Sequence, residues 1–311
     1  MMRALLLGVV AMAACAGGGR GAGTGGRGSP GDAPTGECDA EGGQQVGLVT
    51  SLRFARATGG MSEGFDLDGL QTIDGASDAG CGIADYTDAA GNGGVDNAFA
   101  RLIPALELTE AAAVEGLIAA AISSGELLIL VEMDELDSRT DDTCVDFAVS
   151  RAMGAPDLGP DNLPVSGQTF DRDPSVAPVR VADAALVGGT IEARPLTIVI
   201  PVDILNASLD FVAQDGAFRA VWAEDGSFTG QMAGAIDIAS LIEVALIENV
   251  DPALAGVLET LLYGAADLAP GPDGRCTQIS ITFEVEGVAA FVFDSPAPAA
   301  GDSGAVGDTG G

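Results

Sequence analysis

The residues best suited to chemistry in this chain are carboxylates crowded into one stretch. Asp66-Leu67-Asp68-Gly69 is followed by Asp74, Asp78, Asp85, Asp88, Asn92, Asp96 and Asn97. Oxygen donors at this density suit a hard cation, because Ca2+ takes about six to eight oxygen ligands and needs glycine to fold a loop around them. A calcium ion held by Asp66, Asp68, Asp85, Asp88, Asn92 and Asp96 is the resulting expectation. The rival reading leaves the same Asp and Asn side chains as turn formers and caps in a solvated acidic loop.

Other chemistries lack their residues. The chain has no His, and all 13 of its bases are Arg. An imidazole general base, a Schiff-base lysine, a P-loop lysine and a His metal ligand are therefore absent. Gly60-Met61-Ser62-Glu63-Gly64 matches G-x-S-x-G, but that nucleophile needs a histidine and a helix behind it, and residues 65–69 do not read as a helix. Asp302-Ser303-Gly304 and Asp308-Thr309-Gly310 have the form of aspartic-protease triplets, yet they sit in a Gly-rich tail rather than in buried turns of two facing lobes. A carboxylate pair for glycoside hydrolysis is conceivable, but no pair stands out and the aromatics that line sugar clefts are scarce. The expectation is a protein that is not an enzyme. Its 46 acids give a formal net charge of −33, which repels nucleic acid and favours divalent cations and basic partners.

Five cysteines divide by position. Cys15 closes a segment made of Met1-Met2-Arg3, an apolar run from Ala4 to Met12, and Ala13-Ala14. The run is too short to span a bilayer and has the flanks of a signal peptide. The segment resembles the lipobox of bacterial lipoproteins, with Met12 where the consensus prefers Leu. That resemblance implies cleavage before Cys15 and lipidation of its thiol; the alternative is a plain signal peptide cut near Ala14 or Ala16. Ala16 in place of Asp implies an outer-membrane lipoprotein of a Gram-negative bacterium, facing the periplasm or the cell surface. Cys38, Cys81, Cys144 and Cys276 remain, an even number in an exported chain, and suggest two disulfides. No pair has the CxxC spacing of a zinc site. Three connectivities are possible, with a lean towards Cys38–Cys276 and Cys81–Cys144.

These residues need a scaffold. Residues 1–14 read as the signal peptide, 15–37 as a lipidated cysteine and Gly-rich tether, 38–295 as one body with an Asp-rich loop at 59–97, and 296–311 as a Gly- and Pro-rich tail. Within the body, residues 46–57 read as a strand with Val46, Leu48, Leu52 and Phe54 on one face. Residues 96–108 and 110–123 read as helices, the second capped by Thr109 and ended by Gly125. Strands are expected at 126–133, 144–153, 179–181, 186–193, 196–204, 207–212, 218–223 and 227–238, with a loop at 156–178. Asp215-Gly216 and Asp225-Gly226 are expected as hairpin turns. Helices follow at 238–249 and 252–263. Residues 277–293 close the body with Ile279, Ile281, Phe283 and Val285 on one face.

The fold class expected is α+β: an antiparallel β-meander, sandwich-like, with two clusters of helices. The layout resembles predicted lipoproteins of myxobacteria, a likeness that carries no function. The Asp-rich loop is similar to the repeats of thrombospondin-type calcium modules, without the full repeat, and departs from an EF-hand because Gly69 comes two positions early and no closing Glu follows. The function expected is that of a membrane-anchored extracytoplasmic lipoprotein with a structural or binding role, stabilised by calcium. Two alternatives stand beside it: a module binding a lipid or small apolar ligand, and a carboxylate-dependent hydrolase.

Overall fold

In the computed structural model, residues 42–73, 80–108, 114–204, 207–247 and 252–293 are described, with side chains outside 198–213 and 244–255. The expected signal peptide, Cys15, the tether, Cys38, Asp74, Asp78, Thr109 and the tail lie outside the described residues. The strands are β1 (Gly43–Phe54), β2 (Tyr86–Thr87), β3 (Gly93–Val95), β4 (Ile129–Leu136), β5 (Asp142–Met153), β6 (Gln168–Arg172), β7 (Val179–Val187), β8 (Thr190–Ile204), β9 (Ala207–Trp222), β10 (Phe228–Asp237), β11 (Leu268–Pro270) and β12 (Cys276–Phe293). The helices are α1 (Ile103–Leu106), α2 (Val114–Ser124), α3 (Ile238–Ile247) and α4 (Pro252–Ala265).

The expected meander is present, but it closes on itself. Strands pair antiparallel in the cycle β1, β4, β5, β7, β8, β9, β10, β12, and β12 returns to β1. The α+β sandwich is thereby corrected to a mostly-β, eight-stranded barrel. Alternation along β12 shows how it fills: Ile279, Ile281, Phe283 and Val285 all join the central core, as their period-2 spacing requires. Phe147, Phe218 and Phe228 meet across that core with ring centroids 5.1 and 6.3 Å apart. The interior is a packed core, the usual outcome for eight strands.

A second, smaller ring shares four of these strands. The end of β5 leaves β7 and pairs with β6, while the end of β12 pairs in parallel with the same β6. β1, β4, β5, β6 and β12 thus enclose a separate core of Val46, Leu48, Leu128, Leu130, Ala152, Phe170 and Ala290. β1 and β4 are consequently buried on both faces, which explains the uninterrupted apolar run at 127–131. The four β1 residues expected on one face are divided. A bulge between Val49 and Ser51 shifts the phase, so Val46 and Leu48 face the small ring while Leu52 joins the barrel core. β6 falls in the stretch read as loop, because five residues with one buried side chain, Phe170, give no periodic signal.

Local expectations fared unevenly. Asp225-Gly226 makes the β9–β10 turn, with Gly226 at φ +81° and Asp225 accepting from the Ser227 amide at 3.0 Å. Asp215-Gly216 is not a turn. It is a bulge inside β9, with Asp215 at φ +47° and Gly216 so enclosed that a Cβ would lie 2.7 Å from the Ala233 carbonyl oxygen. Gly125 ends α2 at φ +85°. The helix expected over 96–108 is two short turns, a 3-10 turn at Ala98–Arg101 and then α1, with Pro104 in the first turn of α1.

Cys81 and Cys276 form a disulfide, with Cα atoms 5.8 Å apart. The lean towards Cys38–Cys276 and Cys81–Cys144 is therefore overturned. The acidic loop folds back to the start of β12, a long-range contact that strand order alone does not reveal. Cys144 is also disulfide-bonded. Cross-linking over 195 residues is worth about 5 kcal/mol in the chain-entropy view.

At one end of the small ring sits a charge that no sequence pattern marked. Glu132 on β4 is fully buried. It accepts from the Arg172 guanidinium of β6, Nε at 3.1 Å and Nη2 closer, and from the Ser150 hydroxyl of β5. Arg172→Ala strands that carboxylate and is expected to cost about 3–5 kcal/mol, seen as a lower urea midpoint. Replacing both partners, Glu132→Leu with Arg172→Met, is expected to recover most of the loss. A double variant no more stable than Arg172→Ala would refute the coupling.

Candidate metal centre

The Asp-x-Asp-Gly segment wraps around a buried acid. Phe65 and Asp96 form an antiparallel bridge, with the Asp96 amide donating to the Phe65 carbonyl at 2.8 Å. Phe65 is anchored against Ala217 and Ala233 on the outer wall of the barrel, with the Arg219 guanidinium 4.6 Å from its ring centroid. The next residues turn back over Asp96, whose Oδ2 accepts from the Leu67 amide at 2.6 Å. Asp66 Oδ1 accepts from the Gly69 amide at 2.7 Å, three residues on, and Asp68 Oδ1 from the Leu70 amide at 2.8 Å in an Asx turn; the two bonds set both carboxylates. Gly69 sits at φ +77° and Gly94 at φ +84°; a Cβ at Gly94 would come within 3.0 Å of the Leu70 carbonyl oxygen.

One carboxylate oxygen each from Asp66, Asp68 and Asp96 lies within 4.8 Å of the others. Ligands of one calcium ion sit up to about 5 Å apart, twice a Ca–O distance of about 2.3–2.6 Å. Three of the six expected ligands are thus together, drawn from positions thirty residues apart in the chain. Asp85 stands close enough for the charges of Asp68 and Asp66 to raise its pKa, secondary to burial, while the Thr72 amide bonded to its Oδ2 at 2.5 Å opposes the shift. Asp88 and Asn92 do not join. Asp88 accepts from the amides of Ala90 and Asn92 and from the Asn92 side chain, closing the turn between β2 and β3. That bonding holds the Asp88 carboxyl below its ordinary range.

Beneath the loop lies a buried polar layer that sequence reading missed. Asp267, just before β11, accepts from the Ser280 amide at 2.8 Å and from the Ser280 hydroxyl. Ser280 Oγ in turn accepts from the Ala98 amide at 2.7 Å. Asn97 donates to the Ala55 carbonyl at 3.1 Å and to Ser62 Oγ at 2.8 Å, and accepts from the Thr282 amide at 3.2 Å. These bonds fix the loop to β12. They also place the serine of the G-x-S-x-G match: Ser62 is buried and donates to the Glu63 carbonyl. The available signal was the alternation of β12, whose outward positions 280 and 282 carry Ser and Thr between apolar neighbours.

Burial raises the carboxyl pKa of two of these acids. Asp96 is pushed up to about 8 by desolvation, partly opposed by the Leu67 amide and reinforced by the charges of Asp68, Asp267 and Asp85. Asp267 is raised to about 6, again chiefly by desolvation and against the bonds from Ser280. Without a cation, the cluster keeps a proton that ordinary carboxylates lose. A divalent ion is the other way to relieve the same repulsion. Family models, curated proteins and solved structures were compared with the chain, and none matches it.

The two raised carboxyls give stability a defined pH dependence. A folded pKa above the unfolded value of about 3.9 favours the protonated native state. The contribution is full in acid and is lost as pH rises through about 6 for Asp267 and about 8 for Asp96. The chain has no His to titrate there. In chelator, the urea midpoint is expected to fall between about pH 6 and 8, and Asp96→Asn is expected to flatten that fall. A slope unchanged by Asp96→Asn would show that Asp96 ionises normally.

Proposed function

We propose that this protein is an outer-membrane lipoprotein, held by a lipid on Cys15, whose barrel has a structural or binding role and is stabilised by calcium at Asp66, Asp68 and Asp96. The observation that carries the cation reading is the convergence of those three carboxylates over a buried, partnered polar layer. The Met1–Cys15 segment supports export and anchoring, and the Cys81–Cys276 disulfide fits an oxidising compartment. Three protein carboxylates leave room for water in the coordination shell, which suits the weak calcium affinity of extracellular modules, about 10⁻⁴–10⁻³ M. Magnesium demands near-ideal octahedral geometry at about 2.0–2.1 Å and fits the loop poorly.

Calcium at about 10 mM is therefore expected to raise the melting temperature by about 3–10 °C, and magnesium by less. Asp66→Asn with Asp68→Asn is expected to abolish the difference between the ions. General screening of the −33 charge acts alike for both ions and survives the substitution. Equal shifts, unchanged in the double variant, would leave the loop as a solvated acidic surface. Anchoring is tested separately: Cys15→Ser is expected to release the protein from membranes and to abolish labelling by a fatty-acid analogue. A parent chain that takes no label would remove the lipoprotein reading.

A second reading, binding of a small apolar ligand, rests on a cavity of about 170 Å3 at the end of the barrel where β1 finishes. Phe54, Phe99, Ile103, Ile236, Leu241 and Ile281 line it, with α1, α2 and α3 contributing to the wall. Arg56 stands at its edge, paired with Glu107 at 2.9 Å and Glu115 at 3.0 Å. An apolar void of about 150 Å3 stays dry and accepts benzene, whereas drug-sized ligands need about 300 Å3 or more. The fitting class is thus a small hydrocarbon group. Benzene is expected to raise the melting temperature of the parent and not that of Ile103→Phe, which fills the space. No shift in the parent would dispose of this reading.

A further inference from the structure

Along β12 the outward positions change character. Over the barrel they carry Glu284 and Glu286, both ion-paired with Arg53. Past Ala290 they carry Phe291 and Phe293, 59% and 58% exposed, while Ala290 and Val292 turn into the small core. The sheet register sets exposed Asp171 of β6 beside Phe293 and, beyond it, Met153 of β5, 45% exposed, so the apolar side chains of this face flank a single acid. Two phenylalanine rings on adjacent outward positions are an unusual feature for the surface of a chain with net charge −33, and clustered apolar exposure marks interaction sites.

The same end of β12 marks where the chain enters the body. Val46 of β1 is paired with Ala290, and β1 begins at Gly43. At a strand rise of about 3.3 Å, Gly43 lies about 10 Å from that pair. Residues 16–42 separate Cys15 from this point. A Gly-rich segment of that length reaches about 30 Å, enough to let the adjoining face touch the surface that holds the anchor.

We propose that Phe291, Phe293 and Met153 form the face on which the tethered body rests against its membrane, with the rings entering the interfacial layer of a zwitterionic bilayer. The inference builds on the lipid anchor at Cys15. Charge selects the surface, because the acidic body is repelled by an anionic leaflet. Weak apolar contacts suffice, because the anchor holds the body at high effective concentration.

The test uses the lipidated chain in phosphatidylcholine vesicles, with tryptophan placed by Phe291→Trp or, as a control, by Val257→Trp on exposed α4 near the opposite end of β12. Brominated phosphatidylcholine is expected to quench position 291 and to spare position 257, after subtraction of Trp222. Equal quenching, or none at 291, overturns the proposal. Fatty-acid labelling of the parent reports on the anchor independently. Should the parent take no label, it is still expected to float with phosphatidylcholine vesicles at high lipid concentration. Phe291→Ser with Phe293→Ser should then lower its partition about tenfold, and phosphatidylglycerol should weaken it. A partition unaffected by the double substitution refutes the face.

Discussion

The pairing of β1 with β12 is the constraint on which the rest of the structure depends. It joins the two ends of a meander and removes the open edges that would otherwise recruit other strands. It also carries two glycines, Gly47 and Gly287, where a Cβ would come within 2.5 Å and 2.1 Å of the Phe228 ring. Phe228 can pack over the seam and against Trp222, the rings tilted by 32° with centroids 4.5 Å apart, because those positions have no side chain. Both the barrel and the small ring close through this one seam.

Charge is distributed so that the apolar interior is left alone. Among the described residues most of the acids face water, and the deeply buried ones are each answered. Glu132 is paired with Arg172, Asp267 is bonded to Ser280, and Asp96 is bonded by the amides of the turn that covers it. Of these, Asp96 has three acids around it, Asp68, Asp267 and Asp85, and burial together with their charges pushes its carboxyl up to about 8. The described part of the acidic loop is held to the barrel. It is fastened by Asn97, by the bond from Ala98 to Ser280, and by the Cys81–Cys276 disulfide.

Period-2 signals were legible in the sequence where a strand buries one face, and Ile279 to Val285 is the plain case. They failed where a strand buries both faces or changes phase, as β1 does at Thr50, because alternation then carries no single meaning. Turn chemistry was ambiguous for a similar reason. Asp-Gly supplies positive φ, and positive φ serves the hairpin at 225–226 and the bulge at 215–216 equally well. Barrel closure depends on contacts between the first and last strands, which no local pattern reports. In the candidate site, residue type was enough to select Asp66, Asp68 and Asp96, but it also selected Asp88 and Asn92, whose oxygens are consumed by their own turn. Asp267 went unnoticed because a lone acid between helix and strand looks like any surface residue until its partner on β12 is known.

The direction of β1 has a mechanical consequence. Any pull transmitted through the residues before Gly43 acts along the strand axis, at right angles to the hydrogen bonds that join antiparallel neighbours. β1 is flanked by β4 on one side and β12 on the other, so such a load falls on both ladders in shear rather than opening one pair at a time. A load entering at the first strand is thus met by a strand that is buried on both faces.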